Sequence, residues 1–193
     1  MKAIQFIALA ATISAFSIAC SDNKQPETTE PSVEVVKAPT VSEQASMLNA
    51  SVDSAWHAVI QVDSQKFANI KRLVEEISYC KKYDEKGVAK ALKLTAEMKS
   101  YQYTQDNLSD SLITLYDNKT DELIRYVRNL KNSTQEIEQH PLADQLENEI
   151  TEADNQLVNY RSRYDVLAVK YNSFLDTNKE AIGKKKRVFS IPA

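Results

Sequence analysis

From Leu146 onward, apolar and aromatic residues recur at alternating spacings of four and three: Leu146, Ile150, Ala153, Leu157, Tyr160, Tyr164, Leu167, Tyr171 and Phe174. That heptad seam predicts a long helix packed at a shallow angle against its neighbours. His140-Pro141 marks its start, because proline suits the first helical turn and restrains the residue before it. A helix from Pro141 to about Lys179 would reach about 60 Å at 1.5 Å per residue. A second seam runs through Leu108, Leu112, Leu115, Leu123, Tyr126 and Leu130 and ends near Ile137, with Lys119 interrupting it. A third helix is predicted from about Ser42 to Lys82. Its apolar face carries Val52, Trp56, Val59, Ile70, Val74 and Ile77, and Asp63-Ser64-Gln65-Lys66 breaks that face midway. A short helix from about Asp84 to Ser100 carries Val88, Leu92 and Thr95, and Tyr101 to Asn107 reads as a turn. The prediction is an all-α fold: an antiparallel bundle of about four helices, three of them long. A coiled-coil rod is the alternative. The gap at residues 63–66 and the unequal helix lengths argue against it.

The chain's start has a different pattern. Met1-Lys2 precedes an apolar run from Ala3 to Ala19 that is too short to span a membrane, and polar sequence follows it. This run reads as a signal peptide (1–19). It ends Ser17-Ile18-Ala19-Cys20, which resembles a bacterial lipobox although Ser17 stands where leucine is usual. Cys20 is the predicted lipidation site, palmitate included; ordinary cleavage beside an unmodified cysteine is the alternative. One acyl chain holds a protein only marginally, whereas the three typical of such a cysteine would hold it permanently. Residues 20–41, with Pro26, Pro31 and Pro39 among Glu, Thr, Ser and Lys, have little to bury and read as a disordered tether. Ser21 after the cysteine favours the outer membrane under the enterobacterial sorting rule. Residues 42–180 would form the bundle and 181–193 a basic tail.

Composition narrows the classes further. Two glycines, Gly87 and Gly183, are too few for the tight turns of a sheet protein. A net charge of −3 gives no reason to expect nucleic acid as a partner. With Cys20 modified, Cys80 is left alone and is expected to be a plain buried thiol. Cys80, His57 and His140 make no recognisable zinc site. Glu138-Gln139-His140 lacks the spacing of a bundle di-metal motif, and no phosphate loop or serine elbow occurs, so no cofactor or metal is predicted. Glu147, Glu149 and Glu152 read as a solvated face. Tyr160, Tyr164 and Tyr171 with Phe174 read as core packing with hydroxyls at the rim, or as an aromatic groove for a partner helix or glycan. Lys184, Lys185, Lys186 and Arg187 could contact an anionic surface at roughly 1 kcal/mol per charge. They could equally be a solvated terminus.

Several segments together resemble a known family. These are His140-Pro141-Leu142-Ala143, Leu146-Glu147-Asn148-Glu149-Ile150, Tyr160-Arg161-Ser162-Arg163-Tyr164-Asp165 and Val169-Lys170-Tyr171-Asn172-Ser173-Phe174. They are similar to the last helix of LemA proteins. Ser54-Ala55-Trp56 and residues 70–77 resemble that family's first helix, and Tyr83-Asp84-Glu85-Lys86 its following turn. The likeness spans about residues 45–190. Gln65-Lys66 stands where the family has paired basic residues, and Leu175 where it has proline. The resemblance implies an envelope-associated helical bundle with no settled catalytic function. The expectation is therefore a lipid-anchored, non-catalytic interaction or scaffold module, held to the membrane through Cys20 and serving an unidentified envelope protein. An enzyme acting on envelope polymers, or a small-molecule carrier with an interhelical pocket, is the alternative.

Overall fold

The computed structural model describes residues 38–190. Cys20, the signal peptide and most of the tether lie outside the described residues. Four α-helices follow in order: α1 (Val41–Ser78), α2 (Glu85–Glu97), α3 (Asp110–Ser133) and α4 (Pro141–Thr177). Three are long, at 38, 24 and 37 residues, and α2 has 13. A 3-10 turn, Met98–Tyr101, extends α2, and another, Ile137–Gln139, leads into α4. The described residues contain no strand.

Local chemistry sets the helix starts. Thr40 caps α1 in a reciprocal box with Glu43, which occupies two backbone donors that the first turn leaves open. Asp84 caps α2 by accepting from the Gly87 N–H at 3.0 Å. A methyl group on Gly87 would lie 2.6 Å from the Asp84 carboxylate and 2.7 Å from Leu130, so either the capping carboxylate or the leucine of α3 would have to move to admit one. Pro141 sits in the first turn of α4, as the sequence predicts.

Side-chain pairs fix the directions. Along α1 and α4, Trp56 meets Tyr164, Lys66 meets Asp154, Asn69 meets Glu149 and Glu76 meets His140, so the two run antiparallel for most of their length. Asp117 with Arg161, and Arg128 with Glu147, set α3 antiparallel to α4. Tyr126 reaches the Gly87 carbonyl, and Leu123 shares a small pocket with Leu94, which sets α2 antiparallel to α3. The bundle is thus up-down-up-down.

The registers within two helices differ from the sequence reading. In α3 the buried positions are Tyr116, Thr120, Leu123, Val127, Leu130 and Lys131, whereas Leu115 is exposed. Leu123 and Leu130 fall where the sequence reading puts them, but Tyr116 replaces Leu115, because it places its ring in the core and its hydroxyl on a buried carboxylate, a pairing leucine cannot make. In α4 the buried line past Leu157 is Arg161, Tyr164, Ala168, Tyr171 and Leu175. Tyr160, Leu167 and Phe174 flank it, half-buried. Asp63 and Lys66, which read as a break in the face of α1, are buried at 7 % and 1 % exposure. At Tyr116 and at Arg161 the departure has one cause: charged residues occupy core positions in the middle of the bundle.

Candidate functional site

Lys66 lies between two carboxylates, 3.2 Å from Asp63 and 2.9 Å from Asp154. Asp63 also accepts a short hydrogen bond from the Tyr116 hydroxyl. Arg161 of α4 donates from both terminal nitrogens to Asp117 of α3, at 2.8 and 2.7 Å, and from one of them to the Tyr103 hydroxyl at 2.7 Å. Tyr103 and Tyr116 meet edge to face, 5.2 Å apart. The result is one polar network in the middle of the bundle, drawn from α1, α3, α4 and the loop after α2. Burial pushes the Tyr103 and Tyr116 phenols far up, and nearby carboxylates add to this, so both stay protonated: Tyr116 donates to Asp63, and Tyr103 accepts from Arg161. Burial works against the Arg161 charge, but the bonds to Asp117 and Tyr103 outweigh it and hold the guanidinium charged.

A second rung joins α3 to α4 one end further along. Lys131 bonds Asp144 and Glu147, and Arg128 reaches Glu147 at 2.6 Å. Burial would raise the Glu147 carboxyl, but Lys131 and Arg128 hold it below the ordinary glutamate value. Glu147 is therefore a bridge between helices, and Glu149 accepts from the mostly buried Asn69; of the three glutamates read as a solvated face, only Glu152 stays exposed. Between the rungs lie two open depressions, of about 160 and 290 Å³, with Asp121 and Asp154 on the walls of both. Among the described residues no group of three or more His, Cys, Asp or Glu side chains could hold a metal ion.

The histidines and Cys80 are separate from this network. His57 is exposed, as its place beside Trp56 predicts. His140 lies 3.0 Å from Glu76 at the far end of α1. Cys80 is a buried free thiol, pushed up by burial and then by the charges of Glu76, Glu136 and Glu138, which makes it a weak nucleophile.

The basic tail departs most from its sequence reading. Residues 181–190 do not trail away from the bundle; they fold back along α4 as a strap. Asn172 grips the Lys186 backbone twice, donating to its carbonyl and accepting from its N–H, each at 2.8 Å. The Tyr164 hydroxyl donates to the Arg187 carbonyl at 2.9 Å, and the Phe189 N–H donates to Asp165 at 2.7 Å. Phe189 is 5 % exposed, in a socket of Trp56, Tyr103 and Tyr164 with the Arg161 guanidinium over its ring. The four cations separate into two pairs. Lys184 and Lys185 form exposed ion pairs with Asp106 and Asp176. Lys186 reaches inward to Asp53 and Gln105, and Arg187 donates to the Leu108 carbonyl. The signal that could have exposed the strap was Phe189 itself, a large aromatic residue within a run of cations.

Lys66, Arg161 and Lys131, the buried cations among the described residues, are thus each paired with a carboxylate of the same chain. No family model matches the chain, and no curated protein or solved structure matches it either.

Proposed function

We propose that this chain is a LemA-like, lipid-anchored, non-catalytic helical module of a bacterial cell envelope, which acts by binding another envelope protein. The observation that carries the non-catalytic part is the pairing of the buried charges. Lys66 is taken by Asp63 and Asp154, Arg161 by Asp117 and Tyr103, and Lys131 by Asp144 and Glu147. A catalytic constellation needs, besides its internal pairs, a reactive group open to a substrate, whereas Lys66 and Arg161 are almost wholly covered. These groups instead tie α1, α3 and α4 together. Large side chains fill the middle of the bundle, which favours interaction over carriage of a small molecule. The lipid anchor rests on the residues ending at Cys20, and the outer membrane is the favoured location.

Lys184 and Lys185, the outward pair of the tail, are the residues we propose for contact with anionic headgroups. Their present partners, Asp106 and Asp176, are exposed and compete only weakly with a charged surface.

Photo-crosslinking in intact cells tests the interaction role. A crosslinker placed at the exposed Val166 or Val169 of α4 should give a discrete adduct that disappears when Cys20→Ala removes the anchor. An adduct of equal yield without the anchor would contradict the proposal, because the partner would then not require envelope anchorage.

A further inference from the structure

The strap is bound as a peptide would be bound. Its backbone is held by side chains of α4, through the Asn172 pair, Tyr164 and Asp165. One aromatic anchor, Phe189, fills a socket, and Lys186 meets Asp53 beside it. Main-chain capture with one side-chain pocket is a general way of holding an extended segment. Every one of these contacts comes from residues 186–189.

The segment that joins them to α4 is of a different kind. Residues 178–185 include Ile182, 94 % exposed, and the surface-paired Lys184 and Lys185. The segment also has slack. Eight residues can extend to about 26 Å, yet here they return the chain only from the end of α4 to Asn172, about 8 Å back along the helix. At one point this doubling back leaves no room for a side chain. Gly183 passes so close over Tyr171 that a side-chain carbon there would overlap the tyrosine hydroxyl. The in-chain path of the strap therefore depends on glycine at 183, whereas the socket does not.

We propose that the socket of Trp56, Tyr103, Tyr164 and Arg161 is an exchange site that receives the strap of a second copy of this chain. Residues 186–189 make the same contacts in either arrangement, so the balance is set by the concentration of the second copy against the effective concentration of the chain's own strap. The second copy is the occupant because its strap already has the complementary chemistry: an aromatic ring for the socket, a lysine for Asp53 and a backbone donor for Asp165.

Trp56 is the only tryptophan and lies in the socket, so it reports occupancy. Full-length Phe189→Ala serves as acceptor, with Trp56 present and the socket unfilled. Full-length Trp56→Phe serves as an optically silent donor with an intact strap. On mixing, the acceptor's emission should shift to the blue and saturate with donor. A Trp56→Phe donor that also carries Gly183→Ala should half-saturate at lower concentration, because its strap is less well held in its own chain. If Phe189→Ala loses helicity, Phe189→Leu, whose smaller side chain fills the socket only in part, takes its place as acceptor and should need more donor to saturate. No shift with either donor would overturn the proposal. So would an equal shift with a Trp56→Phe/Phe189→Ala donor, since association without strap insertion would then be the cause.

Discussion

Phe189, near the C-terminus, stacks on Trp56 of α1, with ring centroids 5.9 Å apart and planes inclined by 19°. The pair joins the last part of the chain to the first helix. It also borders the polar network, because the Arg161 guanidinium lies over the same phenylalanine ring. Removing the ring should therefore affect both packing and charge pairing. Phe189→Ala is expected to cost about 3–5 kcal/mol, the range for a buried phenylalanine, and to shift Trp56 emission to the red. Chemical denaturation followed by that fluorescence checks both. A loss below about 0.5 kcal/mol, the level of an ordinary surface change, would mean the strap does not belong to the folded unit.

The Arg161–Asp117 pair predicts coupling between α3 and α4. Arg161 is almost fully buried and Asp117 accepts from both of its terminal nitrogens, so Asp117→Ala leaves a buried cation short of a partner. The expected cost is about 1.5–3 kcal/mol. In an Arg161→Met background the same substitution should cost much less, giving a coupling of about 1–3 kcal/mol. Additive losses across the double-mutant cycle would show that the two residues act independently.

The all-α class, the helix count, the short second helix and the Pro141 start were legible because each has a local cause: periodicity, capping chemistry or proline geometry. The polar core was not. Asp63 and Lys66 look like a break in the face of α1 until Tyr116, Arg161 and Asp154 are placed around them, and those partners come from 50 or more positions away. Tyr160 fitted a hydrophobic seam better than Arg161 did, because an apolarity count cannot credit an arginine whose carboxylate lies on another helix. The strap was hidden for the same reason. Lys184-Lys185-Lys186-Arg187 reads as a solvated run, and only the fold shows that two of the four point outward while the other two help seat Phe189.

Acid should weaken the second rung. The Glu147 carboxyl is held below its unfolded value by Lys131 and Arg128. Its contribution is thus present above the unfolded glutamate value and is lost as pH falls through the lower folded one. Glu147→Gln removes that dependence. Unfolding free energies measured from about pH 7 down to about pH 3 should converge for wild type and Glu147→Gln at the acid end. A constant offset across that range would contradict the assignment.

The tail substitutions should separate surface contact from folding. Lys184→Gln with Lys185→Gln should leave the melting temperature unchanged, because both side chains are exposed. The same pair should weaken binding to anionic vesicles, and the difference should disappear at high salt as the charges are screened. Lys186→Gln with Arg187→Gln should lower the melting temperature, since these side chains hold Asp53 and the Leu108 carbonyl. Vesicle binding that is indifferent to Lys184 and Lys185 would remove the headgroup role.

The central claim is that the chain works from a lipid anchor at Cys20. Its most direct test is mass analysis of the N-terminal peptide from cells fed an alkyne-bearing palmitate analogue. The account predicts a mature chain that begins at Cys20 and carries acyl chains, with no label on Cys20→Ala. A mature chain that starts elsewhere, or an unmodified Cys20 in a membrane-bound fraction, would contradict it.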